Sequence, residues 1–317
     1  MAKGLPRMTN VMIYLFHYNR GAYLENAVRS VEDLAPGLAL TVVDDDSDEP
    51  EALASLERVR ARHRCVVPKA DTSDFKTGGL PSNMRWAHHD ARKNGVKFAL
   101  FLQDDMQLVR PLMARDNELF HTYFERNPDV VQLWTTFVRG RTNERYQRAG
   151  KRFECRDGAH FGIDGPGKTY SAVGLFDVER FWRLVGDLPG NEAETRRHIA
   201  QLGMSCGMYA YPFMMWLPFP TTFRGGRREP GRGTLERLAG AGLHPYRYLD
   251  DAEQARLWSR DVRHLPLADQ WLDAPTAPSC EMYPYSGPTN YLYERGGWRR
   301  ALSRVLKVGK SPFSRYN

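Results

Sequence analysis

Cysteine is scarce and scattered in this chain. The four residues, Cys65, Cys155, Cys206 and Cys280, form no Cys-x-x-Cys pair, which argues against a zinc knuckle or a disulfide framework and fits a reducing compartment. Long apolar runs are missing as well. No stretch approaches the roughly 20 residues that span a bilayer, and Val11 to Phe16 is too short for the apolar core of a signal peptide. The expected location is therefore cytoplasmic, with peripheral contact to a membrane left open. No internal repeat is evident. At 317 residues, 42% hydrophobic and 26% charged, the chain has ordinary globular composition and length for one sizeable core, alone or with a smaller appendage.

The formal charge is +7, and arginine supplies most of the positive side. Nucleotide diphosphates, acidic lipid and nucleic acid would all answer to it. The bases cluster in three places: Arg139, Arg141, Arg145, Arg148, Lys151, Arg152 and Arg156; the Gly/Arg-rich stretch 224 to 237; and the C-terminal end. Each could grip phosphate through guanidinium forks or be a solvated surface.

Apolar periodicity gives the first half an alternating plan. Buried strands are expected at Val11 to Phe16, Leu38 to Val43, Cys65 to Val67, Lys97 to Leu102 and Val130 to Val138. Helices are expected from Ala22 to Asp33, from Pro50 to His63, from a Ser82 cap to Asn94, and from near Pro111. Short connections between alternating strands and helices imply a mostly parallel sheet, with ligands bound outside the carboxyl ends of its strands. Two acidic clusters fall at such ends: Asp44, Asp45 and Asp46 after the second strand, and Asp104 and Asp105 after the fourth. Carboxylates there would repel a nucleotide diphosphate unless a cation intervened, so a bound divalent metal is inferred.

Farther on, a strand at Ser171 to Phe176, helices at Val178 to Val185 and Asn191 to Leu202, and an apolar run at Met208 to Leu217 are expected. Composition turns to glycine and arginine after Phe223. The expected division is residues 1–225 as the main domain and 226–317 as a helical and loop extension.

Over residues 8 to 223 these features resemble the family 2-like glycosyltransferases of GT-A fold. His17, Tyr18, Asn19 and Arg20 stand where that family closes its first strand with Thr-Tyr-Asn-Arg. Val43, Asp44, Asp45, Asp46 and Ser47 match Val-Asp-Asp-x-Ser, and Ser82 and Asn83 are the nearest equivalent of an Arg-Asn pair. Gln103, Asp104 and Asp105 occupy the Asp-x-Asp position, with glutamine replacing the first aspartate. The resemblance implies a Rossmann-like mixed sheet flanked by helices, a nucleoside-diphosphate sugar donor, and a glycan or other hydroxyl acceptor. It implies Mn2+ or Mg2+ on Asp105, with Asp104 nearer the ribose and His17, Asn19, Arg20, Asp44, Asp45 and Asn83 on the donor. Glu192, opening a helix that ends at Gly203, becomes the base, with Glu194 as the fallback. The implied chemistry is an inverting single displacement, which needs a base for the attacking hydroxyl and positive charge for the departing diphosphate.

Other signals compete. Gly162 to Thr169 fits a phosphate loop literally, yet the polar stretch before it and the strand-like stretch after it lack the strand-to-helix setting such a loop needs. His88 and His89 are adjacent on a helix and face different ways; His244 or His264 is a candidate to complete a metal shell. Trp298, Ala301, Leu302, Val305 and Leu306 follow helical spacing opposite Arg299, Arg300, Arg304 and Lys307, suiting either an anionic membrane surface or packing on the core. The alternatives in function are a nucleotidyltransferase of similar fold, against which only Gly21 follows the first strand, and a non-enzymatic anion- or carbohydrate-binding module. No nucleic-acid partner is expected.

Overall fold

The computed structural model describes residues 10–68, 79–150, 153–155, 160–163, 170–221, 232–284 and 287–308. Up to Arg126 the chain runs β1 (Val11–His17), α1 (Gly21–Leu34), β2 (Ala39–Asp44), α2 (Pro50–Arg60), β3 (Arg64–Val66), α3 (Leu80–Lys93), β4 (Phe98–Gln103), β5 (Met106–Leu108) and α4 (Ala114–Arg126). It continues through β6 (Val130–Trp134), α5 (Gly140–Arg148), β7 (Phe153–Cys155), β8 (His160–Ile163), β9 (Gly174–Asp177), α6 (Val178–Val185), α7 (Glu192–Gln201), β10 (Ser205–Tyr209) and β11 (Met214–Trp216). The remaining elements are helices: α8 (Arg232–Ala239), α9 (Asp251–Ser259), α10 (Ala268–Trp271), α11 (Pro288–Glu294) and α12 (Gly297–Val308). The mixed α/β sheet flanked by helices, with a helical and loop C-terminal part, is what the sequence predicts.

Nine strands form the main sheet in the order β3-β2-β1-β4-β9-β6-β10-β8-β7, while β5 and β11 pair separately. Strands β1 to β4 are mutually parallel; β9 runs antiparallel between β4 and β6, and β10 is parallel to β6. The carboxyl ends of β1, β2, β4, β6 and β10 therefore share one edge. Alternation along β1 sends Val11, Ile13 and Leu15 into a core under α1, α2 and α4, and Met12, Tyr14 and Phe16 into a second core under α3, α6 and α7. Both faces are buried, which is why the strand reads as a continuous apolar run. Each fully buried large side chain contributes about 1.5–3 kcal/mol of transfer free energy.

Several local expectations shift. α3 begins at Leu80 with Gly79 as its N-cap and Pro81 in its first turn, so Ser82 lies inside the helix and is not its cap. The reason is that Asp45 accepts the Gly79 amide at 2.8 Å, anchoring the start three residues early. The run Val130 to Val138 is a strand only to Trp134, continuing as single bridges Thr136 to Met214 and Val138 to Leu267. Met208 to Leu217 divides into β10 and β11 at Pro212, which has no amide hydrogen to continue a ladder.

The expected division at residue 225 lies outside the described residues. The segment from 232 on packs against α1 and the β5–β11 pair: Tyr246, Leu249, Leu257, Ala268 and Leu272 share a core with Tyr23, Val109, Phe137, Met215 and Leu217. Gln107 and Tyr246 exchange two hydrogen bonds, at 2.7 and 3.0 Å. Among the described residues no helix is long and apolar enough to cross a membrane.

Candidate active site

Three strand ends build the site. His17 at the end of β1 is paired in register with Asp44 of β2, and the Asp104 amide continues the β1–β4 ladder to the Phe16 carbonyl at 3.0 Å. Parallel pairing thus delivers both acidic clusters to the same edge. Gly21 starts α1 close against α2: a Cβ there would sit 2.6 Å from the Glu51 carbonyl oxygen and 2.7 Å from Ser55 Oγ, so only glycine lets the first helix leave the strand in this direction.

The β1–α1 loop is held by its own polar groups. Asn19 adopts φ 51°, a left-handed conformation that asparagine tolerates better than most residues. Its Oδ1 accepts from the amides of Asp48 and Glu49 at 2.9 and 3.0 Å, and its Nδ2 donates to Asp48 at 2.6 Å. Asp44 is likewise engaged, accepting from the amide and hydroxyl of Ser47 at 2.9 and 2.6 Å. These two residues clamp the β2–α2 loop. Asp45 is only half-buried, accepts from Gly79 and from Asn83 Nδ2 at 2.8 Å each, and burial raises its carboxyl above the usual value against these bonds. A Cβ on Gly79 would collide with the Asp45 carboxylate at 2.0 Å. Asn83 Oδ1 is buried without a partner among the described residues.

The centre of the arrangement is Arg20. Its Nη2 donates to Asp104, its Nη1 donates to Asp105 at 3.2 Å and to the Thr221 carbonyl at 3.1 Å, and the guanidinium lies over Tyr23 at 5.3 Å. Asp104, only 1% exposed, also accepts from His17 Nδ1 at 2.9 Å and the Tyr18 amide at 3.3 Å. Because an ionised carboxylate only accepts, the ring hydrogen of His17 sits on Nδ1; Nε2 is buried without a partner among the described residues. Burial opposes ionisation of Asp104 most strongly, but Arg20 and His17 together hold its carboxyl below the ordinary value. At Asp105 burial and the Asp104 charge prevail over Arg20 and Arg139, and its carboxyl is raised. One Asp105 oxygen, Oδ1, is buried and unpartnered among the described residues.

Further residues close the cluster. The Leu217 amide donates to the Asp105 carbonyl at 2.8 Å, Arg139 lies over Trp216 at 5.5 Å, and Tyr291 of α11 donates to the Pro220 carbonyl at 2.9 Å. Arg139 came to notice in the sequence only as one member of a basic run, and Tyr23 and Tyr291 carried no signal beyond being aromatic. No three histidine, cysteine, aspartate or glutamate side chains converge as a metal-holding group among the described residues.

Glu192 opens α7, whose N-cap Asn191 accepts from the amides of Ala193 and Glu194 while Glu194 returns a bond to the Asn191 amide at 3.1 Å. This reciprocal capping occupies Glu194. Glu192 instead pairs with Arg196 at 2.6 Å and lies near Tyr170. Burial by surrounding protein raises its carboxyl against the pull of Arg196, although 46% of the side chain is accessible, so solvent screens much of that effect. Gln132 fixes the neighbouring loop by bonding the amide and carbonyl of Ser171 and the carbonyl of Val173 at 2.8–2.9 Å. Since β9 is antiparallel, this loop stands at the same sheet edge as Asp105. Contacts joining Glu192 directly to the Arg20 cluster are absent among the described residues.

Residues 164–169 of the phosphate-loop match lie outside the described residues; Gly162 and Ile163 belong to β8, antiparallel to β10. His88 is buried among Phe101, Phe176 and Phe181, and burial depresses its imidazole to about 3. His89 faces Asp187 at 3.4 Å. His244 contacts Gly240 and Thr276 through its two ring nitrogens, and His264 is exposed.

No protein-family model matches the chain, and no curated protein matches it in sequence. Among solved structures it is similar to S. aureus TarS 1-349 in complex with UDP, 12% identical over 78% of this chain and 69% of that one, TM-score 0.41. It is similar also to the mannosyltransferase PcManGT from Pyrobaculum calidifontis in complex with GDP-Man and Mn2+, 14% identical over 98% and 86% of the two chains, TM-score 0.43. A third is CMP:2-keto-3-deoxy-manno-octonic acid synthetase complexed with CTP, 11% identical over 73% and 99%, TM-score 0.41. Similarity at this level carries nothing about substrate or chemistry.

Proposed function

We propose that this chain is a metal-dependent, inverting glycosyltransferase of GT-A type, moving a sugar from a nucleoside-diphosphate sugar to a hydroxyl acceptor. The supporting observation is the convergence of His17, Arg20, Asp45, Asn83, Asp104 and Asp105 at the carboxyl ends of β1, β2 and β4, where an α/β sheet binds its ligand. Asp45 is the more accessible of the paired aspartates and, with Asn83, suits the donor hydrogens of a nucleobase or ribose.

The residues fit a divalent ion of a restricted kind. Asp104 is consumed by Arg20, His17 and Tyr18, whereas Asp105 keeps one buried oxygen without a partner. Asp105 would hold Mn2+ or Mg2+, which when bound with the donor supplies positive charge to the departing diphosphate. Arg20 and Arg139 add fixed cationic charge beside Asp105. Glu192, at the same edge, takes the proton of the attacking hydroxyl.

A thermal-shift screen of nucleoside diphosphates and their sugars with Mn2+, Mg2+ and chelator tests this. Stabilisation by one nucleoside diphosphate only with metal, lost in Asp105→Ala, is expected. Metal-independent stabilisation by every nucleotide, or by none, would overturn the reading.

A further inference from the structure

The last described helix presents two faces. Leu302 and Leu306 of α12 pack on Phe219, Ala239, Tyr291 and Leu292, and buried Ser303 donates to the Thr289 carbonyl at 2.6 Å. This inner face docks the helix on the protein. Trp298 and Val305, two helical turns apart, flank this inner stripe and are 57% and 68% exposed, with exposed Ala301 between them.

The outer stripe continues onto α8. Leu238 is 38% exposed, and Arg299 bridges the helices by donating to its carbonyl at 3.0 Å. Leu238, Trp298 and Val305 are three of the six exposed large apolar residues among the described ones, and the Arg299 bond brings the end of α8 beside α12. Its rim is basic. Arg299 lies over the Trp298 ring at 4.7 Å, and Arg237 and Arg304 are exposed.

We infer that the outer face of α12 with Leu238 is a docking surface for an anionic lipid bilayer. The interfacial zone of a bilayer takes an indole ring and aliphatic side chains together with a cationic rim. A nucleic acid would neutralise the arginines but leave Val305 and Leu238 unpartnered. The inner face is already satisfied, so docking requires no unfolding of the helix. It rests on the patch alone and stands whether or not the chain is a glycosyltransferase.

The test is co-sedimentation of the full chain with phosphatidylcholine vesicles with and without phosphatidylserine, at low and high salt. Binding is expected only with phosphatidylserine and weakened by salt. It should fall about tenfold in Trp298→Ser/Val305→Ser and again in Arg237→Glu/Arg304→Glu. Circular dichroism establishes that the variants are folded, and Leu53→Ser, an exposed apolar residue far from the patch in sequence, should bind as the parent does. No binding to phosphatidylserine vesicles, or equal binding by the Trp298→Ser/Val305→Ser variant, overturns the proposal. So does competition by single-stranded RNA that persists in that variant, which would assign the surface to nucleic acid.

Discussion

Arg20 occupies the place where the acidic strand ends alone would call for a cation, and replacing it with glutamine isolates that role. Arg20→Gln keeps a hydrogen-bonding side chain but removes the charge between Asp104 and Asp105, whose side chains are 2% and 16% exposed. Removing one partner of a buried ion pair costs about 3–5 kcal/mol, because the other charge is left uncompensated. The low end applies, since Arg20 and Asp105 both touch water and His17 remains on Asp104. A loss of about 3 kcal/mol lowers Tm by roughly 4–5 °C for a chain of this size.

The deficit should be recovered by a divalent cation. Mn2+ at about 100 times its Kd restores about 2.7 kcal/mol to the variant, while the parent, with its guanidinium in place, gains little from Mn2+ unless a nucleoside diphosphate is present. Arg20→Lys should fall between, keeping the charge and losing the fork that reaches both carboxylates. Scanning calorimetry with Mn2+ or chelator, without nucleotide, reads all three. An Arg20→Gln protein that unfolds with the parent, or Mn2+ shifts equal in both, would refute the reasoning.

Three further outcomes are expected. Glu192→Gln should keep the nucleotide-dependent thermal shift and lose about 10²–10⁴-fold in transfer rate, measured by product formation; unchanged turnover removes Glu192 as the base. His88 has a depressed imidazole, 6.5 falling to about 3, so the unfolded chain protonates first: stability present above pH ~6.5 is lost as pH falls toward ~3, by about 4–5 kcal/mol, and His88→Leu should lower the acid midpoint in a pH-unfolding curve. Asp116, buried with Arg110 at 2.6 Å and accepting from Tyr209 at 2.8 Å, should cost about 3–5 kcal/mol as Asp116→Ala, while Arg110→Met/Asp116→Leu recovers part of it in denaturant titrations.

The parallel half of the sheet was legible because its strands are buried on both faces and its helices carry one apolar stripe, so periodicity alone placed β1, α1, β2, β4 and α6 within a residue or two. β7 and β8 were hidden. They lie at the sheet's far edge, and the polar stretch Glu154 to Phe161 carries no alternation strong enough to mark them. β5 has three residues, too few for any period. In the site, motif order brought Asp44, Asp45, Asp104 and Asp105 into view, but not which of their oxygens the fold itself consumes. Asn19 and Asp44 spend their hydrogen bonds on the β2–α2 loop, an outcome set by φ 51° at Asn19 and by Ser47. Nothing in the order of residues announces that Arg20 reaches across 84 positions to Asp104.

That reach changes what the two aspartates can be expected to do. A pair of free carboxylates would recruit a cation by themselves; a pair already bridged by a guanidinium has one of its two charges answered, and among the described residues Asp105 Oδ1 is the oxygen of the pair left for a ligand. An ion bound through one carboxylate oxygen needs phosphate oxygens to complete its shell, so ion and donor are expected to bind together. Arg20 also ties the cluster to Thr221, and Tyr291 ties the adjoining Pro220 to α11. The segment at Pro220 and Thr221 is therefore held in part by the same guanidinium that answers the charge of the two aspartates.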